Sequence, residues 1–496
     1  MFLQQVGNLL RPDKPIHNFI NGDFVPSEDG QTTNDINPST GDVVCAFPSS
    51  SKKDVENAVK AANAALFSWS TVPKRDRCQF LIRVADLLEK RSEDFSRAEM
   101  LDQGKTAQHA KNNTSDEYAN EANMAKFLAG QAMNTVEQST CEGILSYSTR
   151  HPLGVVAVIT SWACSIHTIL THLVPALACG NCVIIKPSSL APLCVHVLAK
   201  CIKEAGIPKG VVNIVYGKGD VIGRALAEHT NVNGVAFVGS EKTASSICLE
   251  SASHLKRLSF ELGNCHPMIV CDDADLNYVV PAVIRASFLC MSGQHPHSVN
   301  RVFVHSSIIE KFTERVVAAA KKIRIGNPQD ANVQMGPLIS KEHHQMVLSC
   351  IQGAINDGAT LLYGGKVPKL DSKLEKGYFL EPTILGGFKN AMNNQINVME
   401  VQGPVIRIIP FNTENEAAKG ANSTPYGLSA SIWSKDGART HRMAKLIDAG
   451  IVWINSWLLN CPSILQGGHK QSGNGRFGGH MSLDFYTQIT TVAVPL

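Results

Sequence analysis

The chain has 496 residues, enough for about two to four domains with sizeable cores. Lys and Arg number 46 against 43 Asp and Glu, a formal charge of +3, which gives no reason to expect nucleic acid or an anionic membrane as a partner. A hydrophobic content of 44% with 18% charged residues is that of a soluble globular protein, and it argues against disorder and against a membrane channel.

Met1 to Pro15 carry no extended apolar run, so no secretory signal is expected, and no segment approaches the ~18–20 apolar residues of a membrane span. The 14 cysteines read as reduced packing residues of a cytoplasmic protein.

From about residue 153 short β-rich runs alternate with amphipathic stretches. Val155–Ile159, Val183–Lys186, Val211–Val215 and Val235–Phe237 read as strands. Helices are expected at Thr168–Leu177, Leu193–Ala205, Asp220–Glu228 and from about Glu241. This order predicts an α/β fold, a parallel sheet with helices on both faces. A second series follows, with strands at Met268–Val270 and Arg301–Val304 and helices at Tyr278–Cys290 and Ile308–Ile323. The last β-rich run, Gln488–Val494, must lie at an edge or find a partner.

Several landmarks, in this order and at these spacings, resemble the aldehyde dehydrogenase superfamily. They include Asn37-Pro38-Ser39-Thr40-Gly41, Lys186-Pro187-Ser188, Phe237-Val238-Gly239-Ser240, Glu261-Leu262-Gly263, Gly403-Pro404-Val405 and Tyr426-Gly427-Leu428. The run Gly450 to Trp457 also resembles the branch that oxidises aminomuconate-type semialdehydes. The resemblance implies a Rossmann-like domain over 1–129 and 153–258, a catalytic-type α/β domain over 259–464, and an oligomerisation arm over 134–152 and 480–496. It also implies a homodimer or homotetramer.

Family chemistry uses a cysteine thiolate, an oxyanion site made of a backbone N–H and an Asn amide, a water-activating Glu and a nicotinamide cofactor. Gly293-Gln294 and Arg301 frame the family's nucleophile loop, yet the cysteine position is Pro296. Proline supplies neither a nucleophile nor an N–H. The amide position after Trp162 is Ala163, while Glu261 stands where the family activates water. Cys290, six residues before Pro296, reads as a packing residue rather than a substitute nucleophile, and His295 and His297 as solvated loop residues.

The cofactor positions are mixed. Trp162, Lys186, Gly239 and Ser240 persist, whereas Ser189 and Gln402 replace a ribose acceptor and a nicotinamide clamp, and Glu241 puts an acid where a pyrophosphate would lie. On these losses the expectation is a catalytically inactive member with a vestigial Glu261, no required cofactor or metal and at most weak residual NAD(P) binding. Such a chain would serve as an abundant structural protein, similar to the lens and light-organ omega-crystallins of molluscs. Two alternatives stay open: an NAD(P)-dependent aldehyde dehydrogenase with altered chemistry, and a nucleotide-binding regulator without turnover.

Overall fold

The computed structural model describes residues 15–110, 123–124, 138–141, 143–388, 395–461 and 463–495. The expected N-terminal stretch 1–14 and the arm positions 134–137 lie outside them.

The first sheet has seven strands, in spatial order Arg257–Glu261, Gly234–Val238, Val155–Ile159, Cys182–Lys186, Val212–Ile214, Asn18–Ile20 and Asp23–Val25. The first five run parallel, with the last two antiparallel at one edge. The central strands are buried along their whole length, as their uninterrupted apolar runs require when helices cover both faces. The chain passes outward from Val155–Ile159 to one side, then returns to lay Gly234–Val238 on the other. That reversal opens a crevice at the strands' carboxyl ends, between the turns that begin at Thr160 and Gly239, where open α/β sheets take their ligands.

The second sheet also has seven strands, ordered Thr360–Tyr363, Thr383–Gly386, Val405–Phe411, Val299–His305, His266–Val270, Ser429–Trp433 and Ile451–Ile454. All pairs are parallel except the outermost, between Thr360–Tyr363 and Thr383–Gly386. Glu261 ends the first sheet and His266 begins the second, so four residues, 262–265, connect them. The site forms where the carboxyl ends of the first sheet meet the amino ends of the second.

The terminal strand is Thr487–Pro495, and it pairs antiparallel with Ile144–Pro152 of the same chain, from Thr487 opposite Pro152 to Pro495 opposite Ile144. Gln138–Cys141 lies on the far side of that partner, completing a three-stranded sheet. Among the described residues no helix is long and apolar enough to cross a membrane.

The expected helix Tyr278–Cys290 divides. It is an α-helix from Leu276 to Ile284, containing Pro281, and then a π-turn over Arg285–Leu289. Pro281 removes one backbone donor from the ladder, and the wider turn follows it. Met291 and Ser292 then take left-handed conformations, and at Gly293, with φ of 73°, a Cβ would lie 2.3 Å from the Gly403 oxygen. The residue must therefore be glycine.

The connector is held by Arg301, whose guanidinium is wholly buried. Nε and Nη2 donate to the Cys265 carbonyl at 3.0 and 2.7 Å, Nη1 to Gly420 and Nη2 also to Ala421. Burial lowers its pKa to about 10, so it keeps its charge near neutral pH. Each such charge-assisted bond contributes ~1.5–3 kcal/mol. Arg301→Met is expected to destabilise the fold by about 3–5 kcal/mol, because three inward-facing carbonyls lose their donor. A urea midpoint unchanged from wild type would contradict this.

Candidate functional site

Two cavities meet at the junction of the sheets. One, of about 380 Å³, is lined by Cys164, Arg285, His295, Trp453 and Phe477 among others. The second, of about 360 Å³, occupies the crevice of the first sheet, between Trp162, Gly239, Ser240, Glu400 and Gln402. Glu261 and Pro296 line both.

Glu261 is the last residue of its strand, and its carbonyl accepts from the Gly239 N–H at 3.1 Å. Its carboxylate takes no hydrogen bond from any described residue, and enclosure by protein pushes it up to about 7. A carboxyl of that pKa, half of it ionised near neutrality, suits a general base.

The Pro296 carbonyl accepts from Asn264 Nδ2 at 3.0 Å. The same Nδ2 donates to Ser429 Oγ at 3.0 Å, where His266 Nδ1 and His297 Nδ1 each approach to 2.9 Å. The hydroxyl has one hydrogen, so one of these rings donates to it while the other accepts, and their tautomers are opposed. His295 and His297 are 9% and 8% exposed, not solvated as their loop position suggests. Trp453 packs edge-on against His297 and Trp457 edge-on against His295, which covers one side of each ring. Burial holds His297 down to about 4 and His295 well below its ordinary value, so both rings are neutral. The His295 Nδ1 accepts the His297 N–H at 3.0 Å, which places the ring's own proton on Nε2. That Nε2 has no partner among the described residues.

Two thiols lie nearby. Cys290 lines neither cavity and faces His109 Nε2 at 3.9 Å. Cys164 does line the larger one, yet nothing in the sequence marks it. Its left-handed backbone, with φ of 50°, turns its sulfur to within 3.4 Å of Met291 Sδ. Ala163 is buried and lines the smaller cavity beside Pro296.

The crevice suits a nicotinamide dinucleotide in most respects. Lys186 is buried and its Nζ donates to the Pro187 carbonyl at 2.8 Å, leaving two hydrogens for ribose hydroxyls. Burial lowers the ammonium to about 8, where most of it stays charged at neutral pH. Ser189 spends its hydrogen on the Gly217 carbonyl at 3.1 Å. Ser240, which lines the crevice with Gly239, caps the eleven-residue helix Glu241–Ser251. At the far end Glu400 accepts from the Asn264 N–H at 3.0 Å and from Gln402 Nε2 at 3.1 Å, and burial raises its pKa to about 7. The discordant group is Glu241. A Cβ on Gly263 would lie 2.3 Å from Glu241 Oε1 and 2.9 Å from Glu400 Oε2, so two carboxylates converge there.

The protein matches the aldehyde dehydrogenase family model over residues 24–492. It belongs to the aldehyde dehydrogenase family. It is 39% identical to the 2-aminomuconic semialdehyde dehydrogenase of Homo sapiens, over 97% of this chain and 98% of that protein. It is likewise 39% identical to the 2-hydroxymuconic semialdehyde dehydrogenase of Pseudomonas sp. (strain CF600), over 97% of this chain and all of the other. Its fold superposes with a TM-score of 0.93 on betaine aldehyde dehydrogenase from Staphylococcus aureus in complex with NAD+, at 31% identity over 98% of this chain and 95% of that one.

These relatives overturn three expectations. An inactive structural protein of the crystallin kind, and a chain that is not an enzyme, conflict with full-length relatives that are semialdehyde dehydrogenases. A chain needing no cofactor conflicts with a structural neighbour that binds NAD+. The physical reason lies at Pro296 and Ala163. Those substitutions remove a thiol and an amide, but the two cavities, Glu261 and the crevice remain.

Glu241→Gln removes the discordant charge at nearly constant shape and is expected to tighten NAD+ binding about tenfold, or ~1.4 kcal/mol, by titration calorimetry. Equal affinity in the variant would show that the carboxylate stands clear of the diphosphate.

Proposed function

We propose that the protein is an NAD(P)-dependent dehydrogenase that oxidises a semialdehyde to the corresponding acid by chemistry without a thiol at position 296. The observation that carries this reading is the meeting of two cavities at Glu261, a carboxylate with no partner among the described residues. One cavity suits the aldehyde and the other the nicotinamide, which when bound accepts a hydride. Trp162, Lys186, Gly239 and Ser240 would hold the adenosine and diphosphate portions, and Glu400 the nicotinamide ribose.

The semialdehyde class has two supports. The similar proteins are dehydrogenases of muconic semialdehydes. The Arg285 guanidinium lies at the larger cavity with no ion pair among the described residues, 5.9 Å from the Trp457 ring centre. It is placed to receive a distal carboxylate in a charge-assisted bond. Self-association is part of the same proposal. The outer edge of Thr487–Pro495 carries mostly exposed residues and pairs with no other strand among the described residues, so a second copy would satisfy it. We retain the assignment of that three-stranded sheet as an arm.

Cofactor reduction with a four-carbon semialdehyde tests the reading. Turnover should rise with pH through about 7 as Glu261 ionises, and Glu261→Gln should lower it ~10²–10⁴-fold and remove that limb of the profile. Glu400 titrates in the same range, so Glu400→Gln must leave the limb in place. Arg285→Met should raise KM for the semialdehyde about tenfold or more and leave KM for an uncharged aldehyde unchanged. No cofactor reduction by folded protein with either nucleotide would refute the function.

A further inference from the structure

Among the described residues the junction of the cavities presents a base and a hydrogen-bond donor but no nucleophile directed at it. Pro296 has none, and the Cys164 sulfur is turned to Met291 at 3.4 Å. Glu261, the His295 ring and Pro296 line the same cavity. The volume of about 380 Å³ accommodates a water, whose share of the liquid is ~30 Å³, beside a small aldehyde. The His295 tautomer is fixed by the His297 N–H on Nδ1, so Nε2–H is the donor offered to the cavity.

We propose that the aldehyde is oxidised as its hydrate, with Glu261 activating water and His295 Nε2–H holding the carbonyl oxygen. This rests on the dehydrogenase reading above, whose oxidant is the nicotinamide dinucleotide. Glu261 takes a proton from water as the water oxygen bonds to the carbonyl carbon. The π pair of the carbonyl moves onto its oxygen, which becomes an alkoxide accepting from His295 Nε2. With a nicotinamide dinucleotide bound as the two-electron oxidant, the alkoxide would re-form its double bond and the C–H pair would leave the carbon as hydride. The products are the carboxylic acid and the reduced dinucleotide, two electrons having left the carbon. The acid and Glu261 each release a proton to solvent. Water, aldehyde and oxidised cofactor are consumed one for one, and no covalent bond to the protein forms.

The first half of this sequence needs no cofactor, so it is measurable alone. The test is exchange of the aldehyde oxygen with H2¹⁸O, followed by mass spectrometry on the full chain without dinucleotide, using a four-carbon semialdehyde and benzaldehyde. Exchange should exceed the buffer rate. Glu261→Gln should lower it at least ~10²-fold, and Glu261→Asp, which keeps a carboxylate, should lose less. His295→Phe should lower it ~10²–10³-fold, and His295→Gln, which keeps an N–H donor, should recover part of the loss. Thermal melts alongside establish that each variant is folded.

No enhancement with either aldehyde by the folded wild type overturns the proposal. So does loss of both exchange and oxidation in Cys164→Ser with both retained in Glu261→Gln, which would move the nucleophile to the thiol. Cofactor reduction without exchange refutes the hydrate and leaves the dehydrogenase standing. Exchange without cofactor reduction refutes the dehydrogenase and supports the hydration step.

Discussion

The guanidinium of Arg301 carries the geometry on which the site depends. Its five donors face inward, and the Cys265 carbonyl takes two of them, one from Nε and one from Nη2. That carbonyl belongs to the short connector between the two sheets. Fixing it sets where Glu261 ends and where His266 begins. The same fork reaches Gly420 and Ala421, and so ties in the helix that packs beneath the second sheet. A second buried guanidinium, Arg407, donates to the Asn300 carbonyl at 2.8 Å, one residue before Arg301. The strand that begins at Val299 is thereby anchored on both sides, and the loop 295–297 is suspended from a rigid end. A carboxylate and an imidazole on different elements keep a fixed relation only under such constraint.

The substitutions around Pro296 are mutually satisfied. Asn264 supplies one amide group to both the Pro296 carbonyl and Ser429. Ser429 is shared by two opposed imidazoles, and Trp457 Nε1 donates to the His297 carbonyl at 2.9 Å. Trp453 stacks on His266 with ring centres 5.9 Å apart. A loop that had merely lost its thiol would leave polar groups unanswered in a buried place, at a cost of ~1–3 kcal/mol each. Here the loop's His297 and the Pro296 carbonyl are answered by Ser429 and Asn264 from neighbouring elements. Among the described residues Ser298 Oγ and Asn300 Oδ1 are buried without a partner, while the Glu261 carboxylate and the His295 ring border the larger cavity.

Much of the framework was legible from residue type. Val155–Ile159 and Cys182–Lys186 are apolar along their length because both faces are covered, and such runs read as buried parallel strands. The family followed from glycines, prolines and their spacing. The nucleophile position was equally readable, because Gly293-Gln294 and Arg301 match the family's frame on either side of Pro296. What could not be read were contacts across long sequence separations. His295 and His297 looked solvated because the tryptophans that cover them come some 160 residues later, as the Trp457 to His297 bond illustrates. Cys164 entered the cavity through one left-handed residue, which no periodicity signals. The inference of inactivity failed for a related reason. The loss of a thiol at Pro296 is visible in one dimension, whereas the two cavities that meet at Glu261 are visible only in three.

Hydride transfer between the two cavities is the claim from which the rest follows, and isotope tracing tests it most directly. An aldehyde deuterated at its carbonyl carbon should be incubated with the protein and NAD+, and the reduced nicotinamide and the product analysed by mass spectrometry. The account predicts one deuterium in the nicotinamide ring and an acid free of it. Unlabelled cofactor beside intact aldehyde, with the protein folded and both ligands in excess, would contradict it.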